Sequence, residues 1–64
     1  MKDKSVTRCF VAGHRGLVGS AIVRALGRAG YPEPLVRTRA ELDLLDQARV
    51  SRFIEDEQPD IVFL

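Results

Sequence analysis

Three glycines spaced as G-x-x-G-x-x-G constrain what this chain can fold into more than any other feature. Gly13, Gly16 and Gly19 stand between a short apolar segment, residues 6–12, and an amphipathic segment, residues 17–29. The first segment is typical of a buried strand and the second of a helix. A glycine-rich turn between a strand and a helix presents backbone N–H groups that bind phosphate. The pattern therefore predicts a dinucleotide-binding β-α-β unit.

Each glycine has its own predicted role in that unit. Gly13 permits the tight turn out of the strand, Gly16 lets the backbone approach a pyrophosphate, and Gly19 lets the helix lie close to the sheet. The alternative is an ordinary strand-to-helix turn that happens to be rich in glycine. The flanking strand and helix favour the dinucleotide interpretation.

The rest of the chain continues the alternation of apolar and amphipathic segments. Gly30 suits the end of the first helix, residues 35–38 predict a second strand, and Asp46 is the expected N-cap of a second helix that Pro59 closes. Residues 61–64 predict a third, buried strand. This order predicts an α/β fold, an incomplete Rossmann fold of β-α-β-α-β order with three parallel strands. With both right-handed crossovers running the same way, both helices lie on one face.

That arrangement leaves the other face of the sheet without a cover in a chain of 64 residues. We expect Phe10 or Cys9 to lie on this bare face, although parallel sheets are rarely left uncovered. The apolar run at residues 61–64 also has no turn or polar tail after it. We therefore expect a truncated domain, with Cys9 as a small buried apolar residue rather than a reactive thiol.

The distribution of charge bears on the choice of nucleotide. Residues 1–39 carry eight basic side chains against two acidic ones, whereas residues 40–64 carry two against seven. A site for NAD usually has an acidic residue about 20 residues beyond the glycines, but the second strand here ends with Arg37 and Arg39. Guanidinium groups, including that of Arg15, suit a 2′-phosphate. We predict NADP as the cofactor, with one of Arg37 and Arg39 solvated.

Several other functions are disfavoured. No apolar stretch approaches the roughly 18 residues of a membrane span, and none suits a signal peptide, so we expect a cytoplasmic chain without a membrane partner. The basic residues have few aromatics among them, which does not favour nucleic acid. His14 is expected to contact phosphate or solvent rather than to act as a base, and Asp43 and Asp46 to make caps and loop hydrogen bonds. We therefore predict no metal ligand and no catalytic residue.

Residues 11–22, VAGHRGLVGSAI, and residues 36–46, VRTRAELDLLD, resemble the N-terminal segment of the GDP-L-fucose synthase family of extended short-chain dehydrogenases/reductases. The resemblance covers nearly all of this chain but only the first part of such an enzyme. It implies a full-length protein that converts GDP-4-keto-6-deoxy-D-mannose to GDP-L-fucose by 3,5-epimerisation and NADPH-dependent 4-reduction. The family's catalytic Ser and Tyr-x-x-x-Lys pair cannot be placed here, so we expect residues 1–64 alone to be inactive.

The resemblance also implies roles for individual residues. The glycine loop would hold the pyrophosphate, Arg15 and Arg39 would bind the 2′-phosphate, and Asp43 and Leu44 would lie beside the adenine, so Arg39 is preferred over Arg37. The predicted cofactor-binding residues are Gly13, His14, Arg15, Gly16, Leu17, Val18, Gly19, Arg39, Asp43 and Leu44.

These expectations describe residues 1–64 as the N-terminal part of an NADP-binding Rossmann domain, with the rest of that domain and the substrate domain absent. A GDP-sugar substrate and a homodimer are expected only of the full-length form. Two alternatives remain open from the sequence. One is a non-catalytic nucleotide-binding or interaction module, and the other is a different NAD(P)-dependent nucleotide-sugar epimerase or dehydratase.

Overall fold

The computed structural model describes residues 3–64, which form a parallel sheet of three strands with helices packed against it. After a 3₁₀ turn at Lys4–Val6, the elements in chain order are β1 (Cys9–Ala12), α1 (Leu17–Arg28), β2 (Leu35–Arg37), α2 (Gln47–Glu57) and β3 (Ile61–Phe63). The predicted α/β fold with three parallel strands, an incomplete Rossmann fold, is confirmed. No helix among residues 3–64 is long and apolar enough to cross a membrane.

The first strand begins later than predicted, at Cys9 rather than residue 6. Asp3 caps the preceding 3₁₀ turn, because its Oδ1 accepts a hydrogen bond from the Ser5 N–H at 3.1 Å. The Thr7 hydroxyl also donates to the Asp3 carbonyl at 2.8 Å. Such local side-chain bonds compete with strand pairing, so the sheet starts only after this turn.

The predicted helix ends are confirmed by their capping geometry. Gly30, just after α1, has a φ of +90°, the left-handed conformation that glycine adopts without strain. At the start of α2, Asp46 Oδ1 accepts a hydrogen bond from the Arg49 N–H at 3.2 Å. Gln58 closes α2 with a φ of 47°, one residue before Pro59.

The prediction that both helices lie on one face is wrong, because the strand order is β2-β1-β3. The second crossover runs back over β1, and a right-handed crossover in the reverse direction places its helix on the opposite face. Side chains alternate between faces along a strand. Leu26 of α1 accordingly packs with Cys9 and Val11, whereas Phe53 of α2 lies against Phe10 with ring centroids 4.6 Å apart.

The expected bare face is therefore also wrong. Phe10 and Val11, which point to opposite faces of the central strand, are both 0% exposed. Leu42, from the segment between β2 and α2, is buried as well. The core of this small unit thus lies on both sides of β1, as in doubly wound folds.

A polar contact joins the start of β1 to the end of α2. Arg8 donates to the Glu57 backbone carbonyl, and its Nη2 lies 3.2 Å from Glu57 Oε2. The Arg8 N–H donates to Asp60 Oδ2 at 2.8 Å, and the Asp60 N–H returns a bond to the Arg8 carbonyl at 2.7 Å. Glu57, the last residue of α2, is thus paired with Arg8. These bonds fix the residue at which β3 begins to pair with β1.

Phe10→Ala should lower the free energy of unfolding of the intact protein by about 3–5 kcal/mol, because it leaves a cavity between β1 and α2. Val6→Ala, at a side chain that is 58% exposed, is the matched control and should change stability by less than about 0.5 kcal/mol. Chemical denaturation measures both. Equal effects of the two substitutions would contradict the burial of Phe10.

Candidate functional site

The reversal of strand order creates a crevice at the carboxyl end of β1. β2 and β3 flank β1 on opposite sides, and the chain leaves β1 towards α1 on one face. In open α/β sheets, ligands bind outside the carboxyl ends of the strands at such a switch point. The glycine loop, residues 13–19, lies at this place.

Backbone hydrogen bonds fix the first half of the loop. Gly13 has a φ of +67°, which side-chain-bearing residues rarely adopt. Its N–H donates to the Arg37 carbonyl at the end of β2, at 2.9 Å, and its carbonyl accepts from the Gly16 N–H at 3.0 Å. The predicted tight turn out of the strand therefore has its geometric basis at Gly13.

Gly19 brings the first turn of α1 against the loop. A Cβ atom on Gly19 would lie 2.8 Å from the Gly13 carbonyl carbon and 3.0 Å from the His14 Cα, and closer still to the Gly13 oxygen. These are backbone atoms, so a side chain here could be accommodated only by moving the loop. The close approach is thus between α1 and the turn itself.

The start of α1 has the features of an anion site. Gly16 is its N-cap and offers no side-chain hydrogen bond to the first turn. The first N–H groups of a helix have no intrahelical partners, and the helix dipole favours negative charge there. Leu17 and Val18, on the same turn, are 87% and 70% exposed.

Two adjoining cavities occupy the crevice, one of about 280 Å³ and one of about 380 Å³. They share Ala12, Gly13 and Leu64 as lining residues. The first continues to the segment after β2 and is also lined by Arg39, Leu42, Asp43, Leu44 and Leu45. The second follows the start of α1 and is also lined by Gly16, Leu17, Val18, Gly19, Ile22 and Phe63.

Eight of the ten predicted cofactor-binding residues thus line one crevice, and the other two do not. His14 and Arg15 lie in the turn between Gly13 and Gly16. The Nδ1 atom of His14 is buried without a hydrogen-bond partner within residues 3–64. A buried polar atom normally has a partner, so this nitrogen retains the capacity to bond a group at the loop.

The two candidate arginines after the second strand have different surroundings. Arg37 extends over the ring of Phe53, with 5.1 Å from its guanidinium carbon to the ring centroid. It also donates to the Val36 carbonyl at 2.6 Å. Arg39 is exposed and lines the crevice. Of the pair, Arg39 is therefore the one whose position suits a ligand.

A reciprocal hydrogen-bonded turn, which was not predicted from the sequence, carries Arg39. The Thr38 N–H donates to Glu41 Oε1 at 2.8 Å, and the Glu41 N–H donates to the Thr38 hydroxyl at 3.2 Å. The N–H groups of Glu41 and Leu42 also bond the Thr38 carbonyl. Thr-x-x-Glu is the signature of a capping box, and it was present in the sequence at residues 38–41. We call residues 38–42 the capping turn.

The same contacts keep Glu41 charged. Hydrogen bonds from the Thr38 N–H and from the Thr38 side chain lower the pKa of the Glu41 carboxyl, and the charges of Arg37 and Arg15 lower it further. Arg15, from the glycine loop, is therefore within electrostatic reach of the capping turn. The charge of the glycine loop thus acts on the turn that carries Arg39.

Cys9, Asp43 and Asp46 have surroundings that suit structural roles. Burial raises the pKa of the Cys9 thiol, and the charge of Asp60 raises it too. A buried thiol with a raised pKa is a poor nucleophile. Asp43 Oδ1 accepts from the Leu45 N–H at 3.0 Å and Asp46 caps α2, as expected. No group of three or more potential metal ligands occurs among the described residues.

Comparisons of this chain with known proteins by family profile, by sequence and by structure agree with one another. The profile of the NAD dependent epimerase/dehydratase family matches residues 9–64. GDP-L-fucose synthase 1 of Arabidopsis thaliana is 55% identical over 64 residues, which are all of this chain and 20% of the relative. The chain thus spans about a fifth of the length of that relative.

Two solved structures from Campylobacter jejuni, both 36% identical, superpose on all of this chain. One is a GDP-D-glycero-L-gluco-heptose synthase in the presence of NADPH, with a TM-score of 0.87 over 18% of its length. The other is a GDP-mannoheptose C4 reductase with NADP bound, with a TM-score of 0.86 over 19% of its length.

Gly19→Ala should destabilise the intact protein by about 1–3 kcal/mol, because its methyl group overlaps backbone atoms of the loop. Gly27→Ala is the matched control in the same helix. A Cβ there meets nothing within 4 Å, so this change should stabilise α1 by about 0.5–1 kcal/mol. Thermal unfolding compares the two variants. Similar stabilities would contradict the close approach at Gly19.

Glu41 should titrate below its ordinary value of 4.5, because its partners bind the charged form. Its contribution to stability should be complete above pH 4.5 and be lost as pH falls through the lowered pKa of the folded state. NMR titration of the side-chain carboxyl carbon measures this midpoint. Thr38→Val should move the midpoint upwards, and a wild-type midpoint at or above 4.5 would contradict the capping turn.

Proposed function

Because this chain belongs to the NAD dependent epimerase/dehydratase family, we propose that it forms the first part of the NADP-binding Rossmann domain of a GDP-sugar oxidoreductase. The observation that carries the proposal is the crevice at the switch point, lined by the glycine loop on one side and by Arg39 on the other. A Rossmann fold alone would not indicate a cofactor, but this lining matches the two ends of a dinucleotide.

The glycine loop and the start of α1 bind the pyrophosphate. Gly16 lacks a side chain where the backbone must come close to phosphate oxygens, and Gly19 lacks one where α1 meets the loop. The uncapped N–H groups of the first turn donate hydrogen bonds to those oxygens, and the helix dipole stabilises their charge. The unpartnered Nδ1 of His14 adds one further polar atom at the loop.

The capping turn and its neighbours bind the adenosine end. Arg39 makes a charge-assisted hydrogen bond to the 2′-phosphate, which is stronger than a bond between neutral groups. Arg15, whose charge acts on Glu41 of the capping turn, adds positive charge to this end of the site. Asp43 and Leu44 lie along the first cavity and contact the adenine. No acidic residue is in the position that accepts the 2′-hydroxyl in NAD sites, which supports NADP.

The bound cofactor supplies the hydride for reduction of a keto group, and residues 3–64 orient it. By similarity to GDP-L-fucose synthase 1, the whole protein converts GDP-4-keto-6-deoxy-D-mannose to GDP-L-fucose by 3,5-epimerisation and 4-reduction. The GDP-sugar site and the catalytic residues lie outside this segment, so residues 1–64 alone are inactive. We place the protein in the cytoplasm, where a single free thiol stays reduced, and expect a homodimer of the full-length form.

Arg39→Ala should weaken NADPH binding to the intact protein about tenfold or more, since it removes a hydrogen bond between charged groups. Binding of NADH, which lacks the 2′-phosphate, should change less than about twofold. Fluorescence titration with each cofactor gives both dissociation constants. An equal loss for NADPH and NADH would refute the assignment of Arg39 to the 2′-phosphate.

Two further arginine variants serve as controls for that experiment. Arg37→Ala removes a guanidinium that packs on Phe53, so it should lower stability with little change in the ratio of the two affinities. Arg24→Ala removes an exposed charge from α1, outside the crevice, and should change neither affinity. A selective loss of NADPH binding in Arg24→Ala would indicate a general charge effect.

A further inference from the structure

We propose that Glu41 and Thr38 are positioning residues whose capping turn holds Arg39 for the 2′-phosphate and thereby sets the preference for NADPH over NADH. This inference rests on the proposed function, because it assigns a device to the same cofactor site. It differs from the assignment of Arg39 itself, since neither Glu41 nor Thr38 lines the crevice.

The geometry of the capping turn restricts Arg39 from both sides. Arg39 lies between two residues that bond each other reciprocally, at 2.8 Å and 3.2 Å. The Thr38 carbonyl accepts two further N–H groups, from Glu41 and Leu42, at 3.0 Å and 2.9 Å. Four hydrogen bonds therefore fix the backbone that carries Arg39. Leu42 anchors the far end of the turn in the core, at 7% exposure.

A fixed backbone matters because Arg39 has no other support. Arg39 makes no hydrogen bond, ion pair or ring contact within residues 3–64, whereas Arg37 is held on Phe53. Ordering an arginine side chain on binding costs conformational entropy. A backbone that is already fixed adds no ordering cost of its own. Loss of the turn should therefore affect the ligand group that Arg39 contacts more than the rest of the cofactor.

The carboxylate of Glu41 is engaged away from Arg39. Glu41 Oε1 accepts the Thr38 N–H at 2.8 Å, and Glu41 makes no ion pair with Arg39 within residues 3–64. Glu41 thus does not compete with the phosphate for Arg39. Its contribution is the hydrogen-bond geometry of the turn, which a glutamine side chain also provides, because Glu and Gln both occur at this position of capping boxes.

The test compares Glu41→Ala with Glu41→Gln in the intact protein, using NADPH and NADH as separate probes in titration calorimetry. Glu41→Ala should weaken NADPH binding about fivefold, the scale of a lost capping interaction, and leave NADH binding within about twofold. Glu41→Gln should keep both affinities within about twofold of the wild type. Adenosine 2′,5′-bisphosphate and AMP should reproduce this difference, because they carry only the adenosine end of the two cofactors.

A second pair of variants tests the other half of the turn. These variants also test the proposal if Glu41→Ala does not fold. Thr38→Val removes the hydroxyl acceptor at nearly the same volume and should lower NADPH affinity selectively. Thr38→Ser keeps the hydroxyl and should therefore retain the NADPH affinity of the wild type. Selective loss in Thr38→Val together with retention in Thr38→Ser supports the proposal even without data from Glu41→Ala.

Three results would overturn the inference. An equal loss of NADPH and NADH binding in Glu41→Ala or Thr38→Val would show a general structural role. A loss in Glu41→Gln as large as in Glu41→Ala would show that charge, not geometry, is what Glu41 contributes. A wild-type protein that binds NADPH no more tightly than NADH would refute the proposed cofactor, and the inference would fall with it. The first two results leave the proposed function intact.

Discussion

The contact between Gly19 and the backbone of Gly13 is the constraint on which the site depends. It brings the first turn of α1 to within van der Waals distance of the turn that leaves β1. Only a residue without a side chain permits this approach, and only a residue with a positive φ permits the turn at Gly13. Because Gly13 also bonds the end of β2, one short loop joins the central strand, the first helix and the neighbouring strand. The direction of the uncapped N–H groups follows from this connection.

The second constraint is the position of β1 in the middle of the sheet. With β2 and β3 on opposite sides, β1 must be apolar on both faces, and Phe10 and Val11 meet that requirement. The same topology opens the crevice at its carboxyl end. The residues that follow β1 and β2 then lie on opposite sides of one cavity, although they are distant in the chain. Packing of the core and formation of the site are thus consequences of one strand order.

Much of the fold and of the candidate site could be predicted from local chemistry. The rest depends on contacts between residues that are distant in the sequence. Gly30 and Asp46 mark helix ends because their conformations and hydrogen bonds involve only near neighbours. The side of β1 on which β3 pairs is not encoded in periodicity or segment length, so the faces of the helices were predicted wrongly. The Thr38–Glu41 box did have a sequence signal, the Thr-x-x-Glu spacing at residues 38–41. Alternation along a strand also cannot separate Arg37 from Arg39, because the ring of Phe53 decides between them.

The pairing of β1 has a consequence for the order of folding. Its partners are Leu35 on one side and Val62 on the other, both distant in the sequence from Phe10. Parallel pairing of this kind requires closure of long loops before any ladder bond forms, which slows folding. During synthesis, β1, α1 and β2 can assemble before β3 leaves the ribosome, so the glycine loop can be built while one edge of β1 is still open. Until β3 pairs there, that edge is open to pairing with other chains.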